Sequence, residues 1–289
     1  MRQRAVSSIA IVLIGLIPAI LGGPFFALAF TLIAVIAYHE LATLLGARQN
    51  IAMITGYVLI VLAALLAYAR PGDELFPAFV ALAVFGPLIV AVFAPDSGNQ
   101  GDDTYASWVR VSIAALYLGV ATFAAISLRQ MEGPVDSTWF ESLGKGMTFT
   151  DRDTATGLGW LLLAILVTWL SDTAAYLVGR SVGRTPLLPR VSPKKTIEGA
   201  IGGFIAAGLT ALICILAFGI DINPLTGLIV GVLLGGIGMI GDLCESLIKR
   251  KAGVKDSGTL IPGHGGVLDR IDALVFVIIT TWLLVPFLT

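Results

Sequence analysis

Residues 242 to 272 combine acidic, basic and turn-forming residues at regular spacings. Four polar residues stand at i, i+3, i+4 and i+7, which places them on one face of a helix: Asp242, Glu245, Ser246 and Lys249. Asp269 and Asp272 close the segment and share a face if a second helix begins there. Between them lie basic residues and turn-forming residues: Arg250, Lys251, Lys255, Asp256 and Pro262-Gly263-His264-Gly265-Gly266. Carboxylates, ammonium groups and glycines interleaved in this way suit a phosphate held by a metal ion.

A second polar segment begins at Asp172, near the end of an apolar run, and continues into a basic loop. A new helix can begin in that loop at Ser192-Pro193 or at Thr196, because these residues cap helices or occupy their first turn. Lys194 and Lys195 then stand at a helix N-terminus, where free N–H groups already favour an anion. We therefore expect these lysines to contribute to an anion site.

The two histidines have different settings. His264 lies between glycines, so the backbone can approach a ligand closely there, and a contact to a phosphate or a base is expected. His39-Glu40, at the end of an apolar run, is interpreted as a polar pair at a helix end. The sequence contains no P-loop, serine-hydrolase elbow or zincin motif, and no Cys/His cluster that suggests zinc or haem.

The composition predicts a membrane protein. Of the 289 residues, 57% are hydrophobic and 13% are charged, whereas soluble domains carry about 25% charged residues. The long apolar runs indicate helices rather than a barrel. Cys214 and Cys244 lie in or beside apolar segments, so no disulfide framework is expected. The net charge of −1 gives no indication of nucleic-acid binding, and we expect no nucleic-acid partner.

The apolar runs predict an all-α integral membrane protein with about nine transmembrane helices. The predicted spans are roughly 5–21, 25–41, 51–69, 77–94, 108–127, 158–178, 198–219, 225–249 and 270–288. They group into N-terminal spans (1–128), an extracytoplasmic loop (129–157) and a C-terminal catalytic region (158–289). We expect the catalytic region to carry two cytoplasmic loops, at 179–197 and 250–269. Gly199 and Gly203, and likewise Gly227, Gly231 and Gly235, are four apart and predict close helix packing.

The distribution of basic residues predicts the orientation, because cytoplasmic loops are enriched in Lys and Arg. With the N-terminus in the cytoplasm and the C-terminus outside, most of the 18 basic residues are cytoplasmic: Arg2, Arg4, Arg48, Arg110, Arg180, Arg184, Arg190, Lys194, Lys195, Lys249, Arg250, Lys251, Lys255 and Arg270. Four remain outside: Arg70, Arg129, Lys145 and Arg152.

Four acidic residues lie inside or at the edge of apolar spans: Asp172, Glu198, Asp242 and Asp269. A charged carboxylate in a membrane helix costs about 2.5 kcal/mol or more, so each should face a cavity and have a partner. All four fall at the same predicted membrane face as the two basic loops. This convergence favours a functional site over four unrelated helix ends.

The segment from 246 to 272 resembles the diagnostic motif of the phosphatidate cytidylyltransferases, also called CDP-diacylglycerol synthases. The matching residues are Ser246, Lys249, Arg250, Lys255, Asp256, Gly258, Ile261-Pro262-Gly263-His264-Gly265-Gly266, Asp269, Arg270 and Asp272. Asp172 to Tyr176 and Ser192 to Gly199 resemble a second block of the same family. The resemblance covers about the C-terminal 120 residues, and the N-terminal half matches in hydropathy alone.

The resemblance implies a nucleotidyltransferase that makes CDP-diacylglycerol and pyrophosphate from CTP and phosphatidic acid, with Mg²⁺ required. On this reading Asp242 and Asp269 hold one or two cations, and Asp272 is a further ligand or supports them. Lys249, Arg250, Lys255 and Arg270 neutralise the triphosphate. The remaining expected substrate-binding residues are Asp172, Lys194, Lys195, Ser246 and His264.

We expect a multi-pass protein of a bacterial cytoplasmic membrane, and the distribution of basic residues places the predicted site on the cytoplasmic side. We expect a homo-oligomer, with a dimer as one form. Two alternatives stay open. One is another membrane CTP-dependent lipid enzyme, such as a CDP-archaeol synthase or a prenol kinase. The other is an ion-coupled transporter whose intramembrane carboxylates bind Na⁺ or H⁺.

The orientation can be tested with single cysteines in a background where Cys214 and Cys244 are replaced by serine. An impermeant thiol reagent applied to intact cells should label Glu141→Cys and leave Arg190→Cys and Lys255→Cys unlabelled. Lysed cells, in which all three sites are reachable, provide the control. Labelling at 255 without labelling at 141 would reverse the orientation.

Overall fold

The structure, a computed structural model, describes residues 2–47, 51–72, 74–93, 104–147, 153–263 and 265–288. The helices within these ranges are α1 (Arg2–Leu21), α2 (Gly23–Leu44), α3 (Ile51–Ala69), α4 (Phe76–Phe93), α5 (Thr104–Arg129), α6 (Thr138–Met147), α7 (Ala155–Val182), α8 (Ile197–Phe218), α9 (Pro224–Lys251) and α10 (Leu268–Leu284), followed by a 3₁₀ turn (Val285–Phe287). Two short strands, β1 (Pro186–Leu188) and β2 (Ser192–Thr196), pair antiparallel between α7 and α8.

Eight of the described helices are long and apolar enough to cross a membrane: α2 to α5 and α7 to α10. A shorter apolar segment, Val12–Leu21, lies in α1, where the first span was predicted. This arrangement confirms the predicted all-α, multi-pass membrane architecture. The predicted extracytoplasmic loop, residues 129–157, contains the short helix α6.

Small residues allow the site-bearing helices to pack closely. A Cβ placed on Gly203 of α8 would lie 3.2 Å from the Ser171 carbonyl oxygen of α7. A Cβ on Gly231 of α9 would lie 2.9 Å from Cα of Gly208 in α8. The contact at Gly231 leaves no room for a side chain and the contact at Gly203 is tighter than most Cβ contacts, so the predicted role of Gly203 and Gly231 in helix packing is confirmed.

Buried Arg129 ties the N-terminal helices to the catalytic region. Its side chain, 1% exposed, donates from Nε to the Ala19 carbonyl oxygen at 2.6 Å and from Nη2 to the Ile20 carbonyl oxygen at 3.2 Å. Its Nη1 donates to Thr154 Oγ1 at 2.9 Å. These carbonyls belong to the last turn of α1, where no intrahelical donor remains for them. The guanidinium therefore joins the ends of α1, α5 and α7.

The helices that reach the site are longer than their apolar segments. The spans predicted at 158–178 and 225–249 correspond to α7 and α9, which extend to Val182 and Lys251. The polar connections are therefore shorter than the predicted loops 179–197 and 250–269. Polar side chains in the last turns can reach water beyond the membrane surface, so the helices need not stop where the apolar residues stop.

Helix α8 begins at the second of the two predicted positions. Thr196 has an extended backbone and its Oγ1 accepts from the Gly199 N–H at 3.1 Å, which is a helix N-cap. Ser192-Pro193, the other predicted start, lies in strand β2. Lys194 and Lys195 consequently occupy the strand that leads into the helix, rather than the first helical turn itself.

Candidate active site

A cavity of about 590 Å³ opens where α7 and α9 end and where α8 and α10 begin. Strand β2 and the connection between α9 and α10 complete its wall. Its volume falls in the range of pockets that bind small molecules and cofactors. The two segments that the sequence singled out, around 172–199 and 242–272, are therefore brought together at one end of the helical bundle.

The wall of this cavity is strongly charged. Its basic residues are Arg180, Lys194, Lys195, Lys249, Arg250, Lys255 and Arg270, and its acidic residues are Asp172, Asp242, Asp256, Asp269 and Asp272. Within the described residues, ion pairs engage only two of these cations, Lys195 and Lys249. The other cations have no acidic partner among the described residues, so the cavity is suited to an anionic ligand.

Lys249 forms the buried base of the cavity. Its Nζ lies 2.6 Å from Asp269 Oδ1 and 3.0 Å from Glu245 Oε2. The three side chains are nearly inaccessible, at 12% exposed for Lys249, 4% for Asp269 and 1% for Glu245. Breaking a buried ion pair leaves an uncompensated charge, so these three residues depend on one another. Of the predicted helical stripe of α9, Lys249 thus contacts Asp269 of α10 and Glu245 of its own helix.

Asp269 also organises the connection between α9 and α10. Its Oδ2 accepts from the Ser257 N–H at 2.8 Å, from Ser257 Oγ at 2.9 Å and from the Gly266 N–H at 2.8 Å. A Cβ on Gly266 would collide with Ser257 Oγ. Gly265, at a φ of 83°, has a backbone conformation that favours glycine. The glycines of the turn therefore let the chain fold tightly around the Asp269 carboxylate.

Glu40, on α2, supports the same connection from the opposite side. It is 7% exposed, and its carboxylate accepts from the Val267 N–H at 3.0 Å, the Leu268 N–H at 2.8 Å and Ser257 Oγ at 3.0 Å. The N–H groups of Val267 and Leu268 belong to the start of α10, where no intrahelical acceptor exists. Glu40 therefore acts as the N-terminal cap of α10, although it comes from another helix.

The sequence interpretation of Glu40 as part of a helix-end pair with His39 is wrong about its role. His39 bonds to Tyr57, with 2.6 Å between Nδ1 and the hydroxyl oxygen, while Glu40 faces the site. The one signal in the sequence was an acidic residue at the end of an apolar span, which requires a partner. That partner is more than 200 residues away, with 217 positions between Glu40 and Ser257.

A second ion pair lies in the more open part of the cavity. Lys195 Nζ and Asp242 Oδ2 are 2.5 Å apart, and each side chain is about a quarter exposed, at 26% and 27%. Ser246 Oγ donates to Asp242 Oδ1 at 3.3 Å. This pair connects strand β2 with α9, and its exposure leaves both groups accessible to a ligand.

The carboxylate oxygens that line the cavity can supply some, but not all, of the ligands of a divalent cation such as Mg²⁺. Asp172, Asp242 and Asp272 supply carboxylate oxygens, which Mg²⁺ prefers. Within the described residues, however, no group of three or more His, Cys, Asp or Glu side chains is arranged to hold a metal ion by itself. Mg²⁺ commonly takes one or two carboxylates and completes its shell with water and substrate phosphates. The cavity therefore fits a metal that arrives with a phosphate ligand.

Most of the predicted site residues line the cavity: Asp172, Lys194, Lys195, Asp242, Ser246, Lys249, Arg250, Lys255, Asp269, Arg270 and Asp272. His264 lies outside the described residues. Glu198, expected to face a cavity, instead accepts from the Arg184 N–H at 3.1 Å and from Thr185 Oγ1 at 2.9 Å. It fastens the residues before β1 to the first turn of α8 and is absent from the described lining of the cavity.

The sequence model of the Cytidylyltransferase family matches residues 2–288 of the chain. The chain belongs to this family. The match extends through the N-terminal helices, for which the sequence motifs alone carried no resemblance.

Two relatives of the family illustrate the similarity. A protein of Staphylococcus saprophyticus named phosphatidate cytidylyltransferase is 43% identical over 136 residues, which are 47% of this chain and 52% of that protein. A protein of the same name from Staphylococcus aureus is 44% identical over 138 residues, again 47% of this chain and 52% of the relative. The chain spans about half the length of these curated relatives.

The cap from Glu40 yields a prediction about activity. Glu40→Gln removes one carboxylate acceptor from the start of α10, and a hydrogen bond to a charged group contributes about 1.5–3 kcal/mol. We expect the activity to fall about tenfold or more. Each 1.36 kcal/mol of transition-state stabilisation that is lost lowers the rate by a factor of about 10. His39→Gln, at the preceding and exposed residue, is the matched control. Equal activity of the two variants would contradict the capping role.

Proposed function

We propose that the protein is a CTP:phosphatidate cytidylyltransferase that makes CDP-diacylglycerol and pyrophosphate. One observation carries the proposal: a cavity at one end of a membrane-spanning bundle presents, beside a group of carboxylates, several cations that have no acidic partner in the described part of the chain. An anionic, water-soluble nucleotide can enter such a cavity while a lipid substrate stays in the adjacent bilayer. Membership of the cytidylyltransferase family and the names of the Staphylococcus relatives support the same reaction.

In the proposed reaction a phosphate oxygen of phosphatidate attacks the α-phosphorus of CTP. A new bond forms between that oxygen and the α-phosphorus, and the bond from the α-phosphorus to the oxygen that bridges to the β-phosphorus breaks. Pyrophosphate leaves with the bonding electron pair. The protein needs little covalent chemistry for this transfer, because positioning and neutralisation of charge supply most of the catalysis.

The charged residues divide into two groups by their contacts. Arg180, Lys194, Arg250, Lys255 and Arg270 have no acidic partner among the described residues and are proposed to neutralise the triphosphate and the lipid phosphate. Removing a preorganised group of this kind costs about 10²–10³ in turnover. The second group consists of buried residues that form ion pairs and hydrogen bonds with one another.

Lys249 and Asp269 hold the floor of the cavity through their ion pair at 2.6 Å. The predicted role of Asp269 as a metal ligand stays a prediction, and its four hydrogen bonds support a positioning role instead. Asp242 and Asp272 are proposed to hold Mg²⁺ together with the phosphate oxygens of the substrate. When bound, the ion would neutralise phosphate charge and polarise the phosphoryl group. A second cation stays a prediction.

The setting of the site is proposed to be the cytoplasmic side of a bacterial cell membrane. The described basic residues at this end of the bundle support that side by the positive-inside rule. The relatives from Staphylococcus support a bacterial membrane. A homo-oligomer also stays a prediction. An ion-coupled transporter is less well supported, because the described acidic residues of the cavity gather at one end of the bundle instead of its middle.

The proposed function predicts activity with purified protein, phosphatidate, CTP and Mg²⁺ in detergent. Lys249→Gln leaves the buried carboxylates of Glu245 and Asp269 without their cation, so kcat/KM for CTP should fall by about 10²-fold or more. Lys251 is exposed at the end of the same helix, and Lys251→Gln should produce only a modest, salt-dependent change. Steady-state kinetics at fixed Mg²⁺ measure both.

Two outcomes would contradict this account. Absence of lipid-linked cytidine nucleotide with the unmodified protein would reject the proposed reaction. Equal losses for Lys249→Gln and Lys251→Gln would mean that charge near the membrane matters more than the buried ion pair. Chelation of divalent cations should abolish the unmodified protein's activity, and added Mg²⁺ should restore it.

A further inference from the structure

A second cavity, of about 400 Å³, lies between α1, α2, α7 and α10, inside the region that crosses the membrane. Its wall is almost entirely apolar, with Phe30 from α2, Ile165 and Trp169 from α7, and Leu274 from α10. Leu260, in the connection between α9 and α10, also lines this cavity. We refer to this second cavity as the apolar groove.

One charged residue lines both the apolar groove and the charged cavity of the candidate active site. Arg270, in the first turn of α10, lines both. It is the only charged side chain among the described residues that line the groove. It is exposed and has no acidic partner in the described part of the chain. A phosphate bound at Arg270 would thus lie in the charged cavity and next to the apolar groove.

The lining of the groove follows two helices in the direction of their axes. Its lining runs along α10 from Arg270 to Ile278 and along α7 from Trp169 back to Leu161. Each of these stretches contains nine residues, and the eight steps between its ends rise about 12 Å at 1.5 Å per residue. Both lead away from the charged cavity into the membrane-spanning region. A narrow apolar space of this kind does not retain water and favours a hydrocarbon.

We propose that the apolar groove binds one acyl chain of the lipid substrate, with the lipid phosphate beside Arg270. The inference rests on the proposed function for the identity of that lipid. It adds a site that is sensitive to the length of the acyl chain. The lipid is positioned both by its phosphate and by the depth to which one acyl chain fills the groove. Ordinary bilayer lipid without selectivity is the competing occupant.

Ala29 provides a test deep in the groove. It lies on α2, is partly buried and lines the groove. It precedes Glu40 by eleven positions, so it stands about 16 Å from the site end of the helix. Ala29→Trp should fill the groove at that depth. Leu28→Trp is the matched control, because Leu28 is 63% exposed on the same helix and does not belong to the described lining.

Kinetics with two lipids separate the outcomes. With dioleoyl-phosphatidate, Ala29→Trp should lower kcat/KM for the lipid by about tenfold or more, the order expected for misfit in an apolar pocket. With dioctanoyl-phosphatidate, whose shorter chain ends before Ala29, both variants should match the unmodified protein, and KM for CTP should not change. Equal effects of Ala29→Trp and Leu28→Trp on both lipids would overturn the inference.

A binding measurement keeps the inference testable apart from the reaction. Trp169 lines the groove, so phosphatidate with brominated acyl chains should quench its fluorescence, isolated as the difference between the unmodified protein and Trp169→Phe. Brominated phosphatidylcholine at the same membrane fraction should quench it less. Equal quenching by both lipids would identify unselective bilayer lipid and overturn the inference. Selective quenching without nucleotide transfer would instead reject the proposed function and keep the groove.

Discussion

The carboxylate of Asp269 joins parts of the chain that approach the cavity from different directions. It accepts hydrogen bonds from Lys249 Nζ in α9 at 2.6 Å and from the Ser257 and Gly266 N–H groups of the connection between α9 and α10, both at 2.8 Å. The side chain is 4% exposed, so its charge depends on these donors rather than on water. Glu40 meets the same connection through Ser257 Oγ. These two carboxylates therefore fix the connection between α9 and α10 from two sides.

The membrane explains why charge is arranged in two layers. At the buried base of the cavity Lys249 is paired with two carboxylates, because an unpaired charge in a membrane protein's interior is costly. Closer to the opening, cations such as Lys194 and Arg250 have no described acidic partner and are exposed. The buried layer gives rigidity and the exposed layer remains available to an anion. A polyphosphate bound there would complete the balance of charge.

The sequence predicted the membrane architecture well because apolar length and helical spacing are local properties. The stripe of Asp242, Ser246 and Lys249 and the pair of aspartates in α10 also follow from spacing within one helix. Helix ends were less predictable: Thr196 and Ser192-Pro193 were both suitable starts, and only the packing of β1 against β2 decides between them.

Contacts between distant segments could not be predicted. Glu40 and Ser257 are separated by 217 positions, and no local pattern relates them. Glu198 carried the signal of a site residue, an acid at the edge of an apolar span, yet its partners are the Arg184 and Thr185 N–H groups outside the cavity. An acidic residue at the edge of an apolar span can thus either line the site or hold a loop in place, and tertiary contacts determine which.

The most direct test of the central claim follows each phosphorus atom of the nucleotide. Purified protein is supplied with unlabelled phosphatidate and with CTP radiolabelled at either the α- or the γ-phosphorus. The proposed reaction places the α-label in the lipid phase and the γ-label in water-soluble pyrophosphate, in equal amounts. Transfer of the γ-label to lipid would identify a kinase. Release of label into water without any labelled lipid would show that the cavity does not join a nucleotide to a lipid phosphate.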